Sequence, residues 1–487
     1  MKTVALPLSA LLLFAAVGCA EEGFGGASSS SQKVELSFYA INDLHGKFMD
    51  TATQPGMDEF TAYMKALYAD EKREEILLSS GDMWQGTVES STNKGRLMTE
   101  WMNELDFVSM TLGNHEYDWG AKVLTPNSEV ADFPFLAINV TYHGQSVDYC
   151  SGSTVVEKNG VKIGIIGAIG DCLSSISGDL TEGLRFATGS ELTALVKNES
   201  VRLREQEGCD FIVYSIHDGY GDSTSATSVK SVTGRDISDY YDTALSNGFV
   251  DLVFEGHTHQ RYMLKDEYGV YHLQGGGENR YVSCAEVTFD LKTEKYTVTP
   301  RLIGTDVYAS SSIEGDPVVE KIYEKYFPTD DPYTAVLGMN ARRRQSDDIC
   351  EKVARLYYQK GLEEWGKQYD IALGGGYLKV RNPYKIEAGS VTYANLFSIL
   401  PFDNDLVLGK IRGVDLIDRF LETDNSNYYV YSALTANDVA ENEYYYIIVD
   451  SYSSSYKPNR ITDIARSSSG KYARDLLAEF IALGGWA

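Results

Sequence analysis

Residues 107–120 read FVSMTLGNHEYDWG. The apolar run at 107–112 has the length and composition of a buried strand, and Gly113 turns the chain out of it. An amide, an imidazole and two carboxylates follow within five residues: Asn114, His115, Glu116 and Asp118. A turn needs the glycine and tolerates the asparagine, but it has no use for the rest. A strand that ends abruptly in reactive side chains is the unit to seek elsewhere in the chain.

It recurs between residues 34 and 290. The apolar runs are VELSFYAI, EILLSS, FPFLAINV, VKIGIIGAI, DFIVYSI and VDLVFE, and the polar clusters include NDLHG, GDMWQG, HDG and GHTH. Strands alternating with helical or loop stretches predict an α/β layered domain. Ligands in such domains gather beyond the carboxyl ends of the strands, where these clusters sit.

The stretch SSIEGDPVVEKIYEKYF, residues 311–327, reads as a linker entering a helix with Pro317 in its first turn. A second unit opens near Tyr333 with the amphipathic stretch DDICEKVARLYYQKGLEEWGKQYD, followed by IALGGGYL and short strands. The predicted organisation is a signal peptide at 1–18, a flexible tether at 19–33, an α/β sandwich at 34–310, a linker helix at 311–332 and a smaller α+β domain at 333–487. The basic run at 342–344, ARRR with its alanine, reads as a solvated face at a helix start.

A chain of 487 residues exceeds one compact core. Its net charge of −27 would be repelled by a nucleic-acid polymer or an anionic membrane surface. A phosphate could still be welcome where metal ions reverse the field locally. Thirty-four tyrosines suit both β-rich packing and stacking surfaces. Near the N-terminus, Lys2 precedes VALPLSALLLFAAVG, too short to span a bilayer and well sized for a secretory segment. It ends in AVGC, which resembles the bacterial lipoprotein processing site and would leave Cys19 lipidated, followed by the polar tether AEEGFGGASSSSQ. The expectation is an exported protein, anchored to the membrane through lipid on Cys19, in the periplasm or at the cell surface. Five cysteines remain, Cys150, Cys172, Cys209, Cys284 and Cys350, with no CxxC among them. Most read as small buried hydrophobes.

Only seven histidines occur, and five of them, His45, His115, His217, His257 and His259, fall in the strand-end clusters. Asp43 and His45, two residues apart, can point the same way from an extended segment, as can His257 and His259. Asp82 adds a carboxylate whose two oxygens can bridge two cations. Mixed aspartate oxygen and histidine nitrogen suits Zn²⁺, Mn²⁺ or Fe rather than Ca²⁺ or a thiolate metal. Asn114 can give a second cation a neutral amide oxygen, so two dications would leave the site net positive. Bridged cations lie roughly 3.5–4 Å apart, and such a pair can activate water and clamp phosphoryl oxygens. His115 is then free to face the leaving oxygen as a general acid, with Asp118 orienting its ring. Glu116 reads as a structural residue of the turn.

DLH, GDMWQG, GNHEYDWG, HDG and GHTH, in this order, resemble the five blocks of the calcineurin-like metallophosphoesterases. GNHExD followed by a C-terminal domain resembles the bacterial 5′-nucleotidase/UDP-sugar hydrolase family. The resemblance implies that Asp43, His45, Asp82 and His259 hold one metal, that Asp82, Asn114, His217 and His257 hold the other, and that His115 and Asp118 form the catalytic dyad. In the second domain, AGSVTYANLFSILPFDNDLVLGKIRG at 388–413 resembles the same family. Phe402 and Asn404 then fall on base-contacting positions and Tyr452 near a second stacking aromatic. Such stacking is worth about 1–3 kcal/mol per base; core packing is the competing reading of both aromatics. The family's G-G-I-R is GGYL here, with Arg381 in a position to replace the missing arginine. The usual G-G-D-G-Y is shortened to SSSY, which removes a ribose-contacting aspartate. The resemblance also implies domain rotation about a hinge near 314–330. The function expected is hydrolysis of nucleotide phosphate monoesters by in-line attack of a metal-bound hydroxide. The alternatives are a 2′,3′-cyclic phosphodiesterase/3′-nucleotidase or a UDP-sugar hydrolase on the same site, or a non-catalytic surface binding lipoprotein.

Overall fold

The computed structural model describes residues 33–50, 56–69, 74–219, 248–309, 314–328, 332–381 and 383–487. Cys19, the signal segment and the tether lie outside the described residues. Among these residues no helix is long and apolar enough to cross a membrane.

The first domain is built on two six-stranded sheets. In chain order their strands are β1 (Lys33–Ile41), β2 (Glu74–Ser79), β3 (Ser109–Thr111), β4 (Phe135–Leu136), β5 (Ser153–Lys158), β6 (Val161–Ile169), β7 (Phe211–His217), β8 (Leu252–Glu255), β9 (Arg261–Lys265), β10 (Tyr271–Gly275), β11 (Tyr281–Asp290) and β12 (Lys295–Gly304). One sheet runs β12-β11-β1-β2-β3-β4 and the other β9-β10-β8-β7-β6-β5. Within them β1 to β4 are parallel, and so are β6, β7, β8 and β10. All the parallel strands therefore deliver their carboxyl ends to one rim.

The alternation of β1 sorts its side chains between two cores, as strand geometry requires. Leu36, Phe38 and Ala40 meet Ile163, Phe211, Val213 and Phe254 of the other sheet. Tyr39 and Ile41 point outward to Phe60 and Trp101, which lie on the helices Met57–Tyr68 and Arg96–Asn103. The second sheet is covered by Leu192 and Val196 of the helix Gly189–Arg202. The result is the expected α/β sandwich, with its layers in the order helix–sheet–sheet–helix. FPFLAINV departs from a single strand: only Phe135–Leu136 pairs, because Asn139 then donates to the Ile169 and Ala187 carbonyls and draws the chain into a separate small sheet.

The helix Pro317–Tyr326 starts with the Asp316 carboxylate accepting the Val318 N–H at 2.9 Å, and buries Val319 and Ile322 in the first domain's core. The second domain packs the helix Ser346–Trp365 on a five-stranded sheet of β13 (Ile371–Tyr377), β14 (Leu406–Arg412), β15 (Tyr428–Ser432), β16 (Tyr444–Asp450) and β17 (Thr462–Arg466), ordered β15-β13-β16-β14-β17. Gly376, at φ 146°, leaves room for Ser453: a Cβ there would lie 2.5 Å from its hydroxyl oxygen. Ser453 in turn accepts the Tyr377 N–H and fixes the short helix Ser451–Ser455 that carries Tyr452. The five cysteines are free thiols, all but Cys150 buried. Arg342 and Arg343 pair with Asp348 and Glu387, and Arg344 lies over Trp486, away from the interdomain cleft.

Candidate active site

The rim of the sandwich gathers side chains from five strand ends. Asp43 and His45 follow β1, Asp82 follows β2, Asn114 follows β3, His217 closes β7, and His257 and His259 follow β8. Asp43, His45, Asp82, His257 and His259 all hold a left-handed φ, between 50° and 68°. Such conformations are uncommon outside glycine and persist where the surroundings impose them. Here they fold each loop back so that its side chain faces the rim.

Two donor groups result. Asp43, His45 and His259 offer ligand atoms within 4.8 Å of one another, and so do Asp82, His217 and His257. The imidazole tautomers suit cation binding. His45 Nδ1 donates to the Gln85 carbonyl at 2.9 Å and His217 Nδ1 donates to the Ser80 carbonyl at 2.7 Å, so Nε2 is the nitrogen that each ring turns to the donor groups; burial lowers His45, which leaves its Nε2 a lone pair. The Nε2 atoms of His45 and His259 face each other at 2.9 Å beside Asp43 Oδ1, which is 3.2 Å from the latter. Two imidazole lone pairs so placed repel unless a cation or proton lies between them. His217 Nε2 is 3.1 Å from Asp82 Oδ2 but out of line for a hydrogen bond, and the buried Asn114 amide nitrogen has no partner. Asn114 Oδ1 and His257 Nδ1 converge at 2.9 Å. Residues of this chemistry fit divalent cations, and Asp82 of the second group also lies within reach of His45 of the first.

Charge agrees with geometry. Burial alone would raise the Asp82 carboxyl, but His217 and His115 hold it well below the usual carboxylate range. Asp43 is likewise held down, against burial, by His259 and His217.

His115 stands apart from these groups in its bonding. Its Nδ1 is 2.7 Å from Asp118 Oδ2, its backbone N–H donates to Asp82 Oδ1 at 2.8 Å, and its Nε2 faces the cleft. Burial would lower the imidazole, but Asp118 and Asp82 raise it above the ordinary histidine value, which favours the protonated ring. Glu116 does more than fill the turn. It is fully buried, and its carboxylate accepts the N–H groups of Gly113 (2.7 Å), Asp82 (3.0 Å), Met83 (2.8 Å) and Trp84 (3.3 Å). It thereby ties the Asn114 loop to the Asp82 loop.

The second domain closes over this rim around a cavity of about 660 Å³, ample for a nucleotide-sized ligand. Arg381, Phe402, Asn404 and Tyr452 all line it. Phe402 stacks on His115 with ring centroids 5.7 Å apart, and Arg381 Nη2 lies 3.2 Å from His115 Nε2. Tyr452 packs against Tyr377 at 5.8 Å. Neither Phe402 nor Tyr452 belongs to a hydrophobic core. Arg474 fixes the Phe402 loop by donating to its carbonyl at 3.0 Å and pairing with Asp403. The loop at 174–179 of the first domain reaches the Tyr452 segment, with the Gly178 N–H on Ser455 Oγ at 2.9 Å and Asp179 on Arg466 at 2.5 Å. Nothing in the sequence marks that loop, since its serines carry no spacing signal. His143 and His272 take no part: the first packs on Tyr142, and the second is buried between Glu255 and Asp266.

Residues 36–261 match the family described as calcineurin-like phosphoesterase, and residues 334–476 match the 5′-nucleotidase C-terminal domain. The chain belongs to the calcineurin-like phosphoesterases that carry a 5′-nucleotidase C-terminal domain, and it is a metal-dependent phosphohydrolase. Among its relatives is an apyrase of Tabanus yao, 26% identical over 79% of this chain and 72% of that protein. Another is a 5′-nucleotidase of Vibrio vulnificus, 23% identical over 84% of this chain and 79% of that one. Among solved structures, the 5′-nucleotidase precursor of Thermus thermophilus has the same fold, with a TM-score of 0.67 and 18% identity over 93% of this chain and 97% of that chain.

Proposed function

We propose that the chain is a 5′-nucleotidase that binds two divalent cations, one at Asp43, His45, Asp82 and His259 and the other at Asp82, Asn114, His217 and His257. Bound there, the cations would supply Lewis acidity, activating water and neutralising phosphoryl oxygens for in-line displacement. His115, held protonated by Asp118, gives its Nε2 proton to the departing oxygen. Arg381 turns from His115 to a phosphoryl oxygen when substrate enters, and Phe402, Asn404 and Tyr452 hold the nucleobase. The observation that carries the reading is the His115–Asp118 pair at 2.7 Å, set beside the shared carboxylate Asp82 in one cleft with Phe402 and Tyr452. The 5′-nucleotidase among the relatives supports the same substrate.

The shortened SSSY segment keeps a second reading open, in which the same site cleaves 2′,3′-cyclic, 3′- or sugar-linked phosphates. Consumption of 5′-AMP, 3′-AMP, 2′,3′-cyclic AMP and UDP-glucose, each followed as loss of substrate and measured side by side, separates the two. The highest kcat/KM on 5′-AMP supports the proposal, and a preference for any other of the four moves the assignment to that substrate. Cys19 is proposed as the lipid anchor that holds the enzyme on an exported face of the membrane. Cys19→Ser should move the protein from the membrane fraction to the soluble exported fraction.

A further inference from the structure

We infer that Gln274 is a positioning residue that sets the affinity of both cation sites through the loop at 256–260. The inference rests on the two-cation reading above. Gln274 stands on β10, beside β8, and is completely buried. Its amide oxygen accepts the Thr258 hydroxyl at 3.0 Å and the Gln260 N–H at 2.7 Å. Its amide nitrogen donates to the Gly256 carbonyl at 2.8 Å and to the Tyr262 hydroxyl at 3.1 Å. All four hydrogen-bonding capacities of the amide are used, and three of them fall on residues 256, 258 and 260.

Those three alternate with His257 and His259, so a single side chain brackets both ligands. The two histidines hold φ of 68° and 55°, a backbone state that an imidazole-bearing residue keeps only under constraint. They also serve different groups, His259 with Asp43 and His45 and His257 with Asp82 and His217. Loss of the Gln274 amide therefore releases one ligand of each. Gln274 is itself braced from behind. The Tyr262 hydroxyl donates to Glu255, whose other oxygen meets His272 Nδ1 at 3.0 Å, and His272 Nε2 lies 3.3 Å from Asp266. This buried chain runs away from the cleft, so its effect on the metals passes only through the loop.

The test is calorimetric titration of the metal-free full chain with Mn²⁺, wild type against Gln274→Leu, with the thermal melt of each metal-free form recorded alongside. Both dissociation constants should rise about 10–100-fold, the usual effect of removing a group that orients metal ligands. The kcat at saturating Mn²⁺ should return close to wild type. Constants that stay within about twofold of wild type, or a rise at one site alone, overturn the inference. If Gln274→Leu does not fold, Gln274→Glu is read instead. It keeps the acceptor for Thr258 and Gln260 but loses the donor to Gly256, so a folded Glu variant with wild-type constants overturns the inference too. A wild type that takes up one ion sinks the two-cation reading, and the single constant then tests Gln274 by itself.

Discussion

His115→Ala separates the two roles this histidine could have. His45, Asp82 and His115 also offer ligand atoms within reach of one ion, so a ligand role is the rival to be eliminated. Nδ1 is engaged by Asp118 at 2.7 Å, and the other nitrogen, Nε2, lies 3.2 Å from Arg381 Nη2 and 3.9 Å from Asp82 Oδ2. His217 Nε2, by comparison, is 3.1 Å from the same oxygen. The backbone N–H of residue 115, which holds Asp82 Oδ1 at 2.8 Å, survives the substitution. Metal content should therefore stay at the wild-type level while the proton donor is lost. Removing a general acid costs about 10²–10⁴-fold in kcat, or about 3–5 kcal/mol of transition-state stabilisation. The assay compares 5′-AMP, whose leaving group is an alkoxide, with p-nitrophenyl phosphate, whose leaving group is already stable as an anion. The loss should be large on the first and shrink towards nothing on the second. Equal losses on both substrates would refute the acid role, and loss of metal measured by elemental analysis would make His115 a ligand.

Asp82 is the carboxylate proposed to serve both cations, grouped with His217 and His257 and also within reach of His45, so Asp82→Ala should bind neither ion after reloading; undiminished metal content by elemental analysis would contradict that bridging place. Phe402→Ala and Tyr452→Ala should each raise KM for 5′-AMP on the order of 5–150-fold, from a stacking loss of about 1–3 kcal/mol. KM for glycerol 3-phosphate should not move, and a parallel rise there would mark the two rings as packing residues. Burial pushes Asp450, which caps the Tyr452 helix, up to about 6, against the Ser453 N–H that favours its charged form. A carboxyl raised on folding contributes stability at low pH and loses it as pH climbs from its unfolded value of 3.8 through 6. Relative to Asp450→Asn, which stays neutral, the wild type should lose about 2 kcal/mol between pH 4 and pH 7 in urea melts. Parallel stability profiles for the two proteins would show that Asp450 does not titrate there.

The rim of aspartate and histidine donors was legible because each contribution is local. A β-branched run ending in Asp-x-His or His-x-His announces both the strand and the direction of its side chains, and parallel strands bring such ends together. FPFLAINV misled because Asn139, an unremarkable residue in sequence, captures two distant carbonyls and diverts the chain. Glu116 showed its position but not its task, since four backbone N–H donors from two loops leave no pattern in one of them. Gln274 left no trace for the same reason: it acts on a loop 14 to 18 residues away in sequence. The approach of Arg381 and Phe402 to His115 depends on how the second domain sits on the first, which no periodicity records.

The proposed reaction needs two cations acting together at Asp82. Its most direct test is to titrate metal-free enzyme with Mn²⁺ while following phosphate release from 5′-AMP and bound metal in the same samples. Activity that stays near zero through the first equivalent and rises with the second is the predicted result. Full activity at one equivalent, or in the presence of chelator, would contradict it.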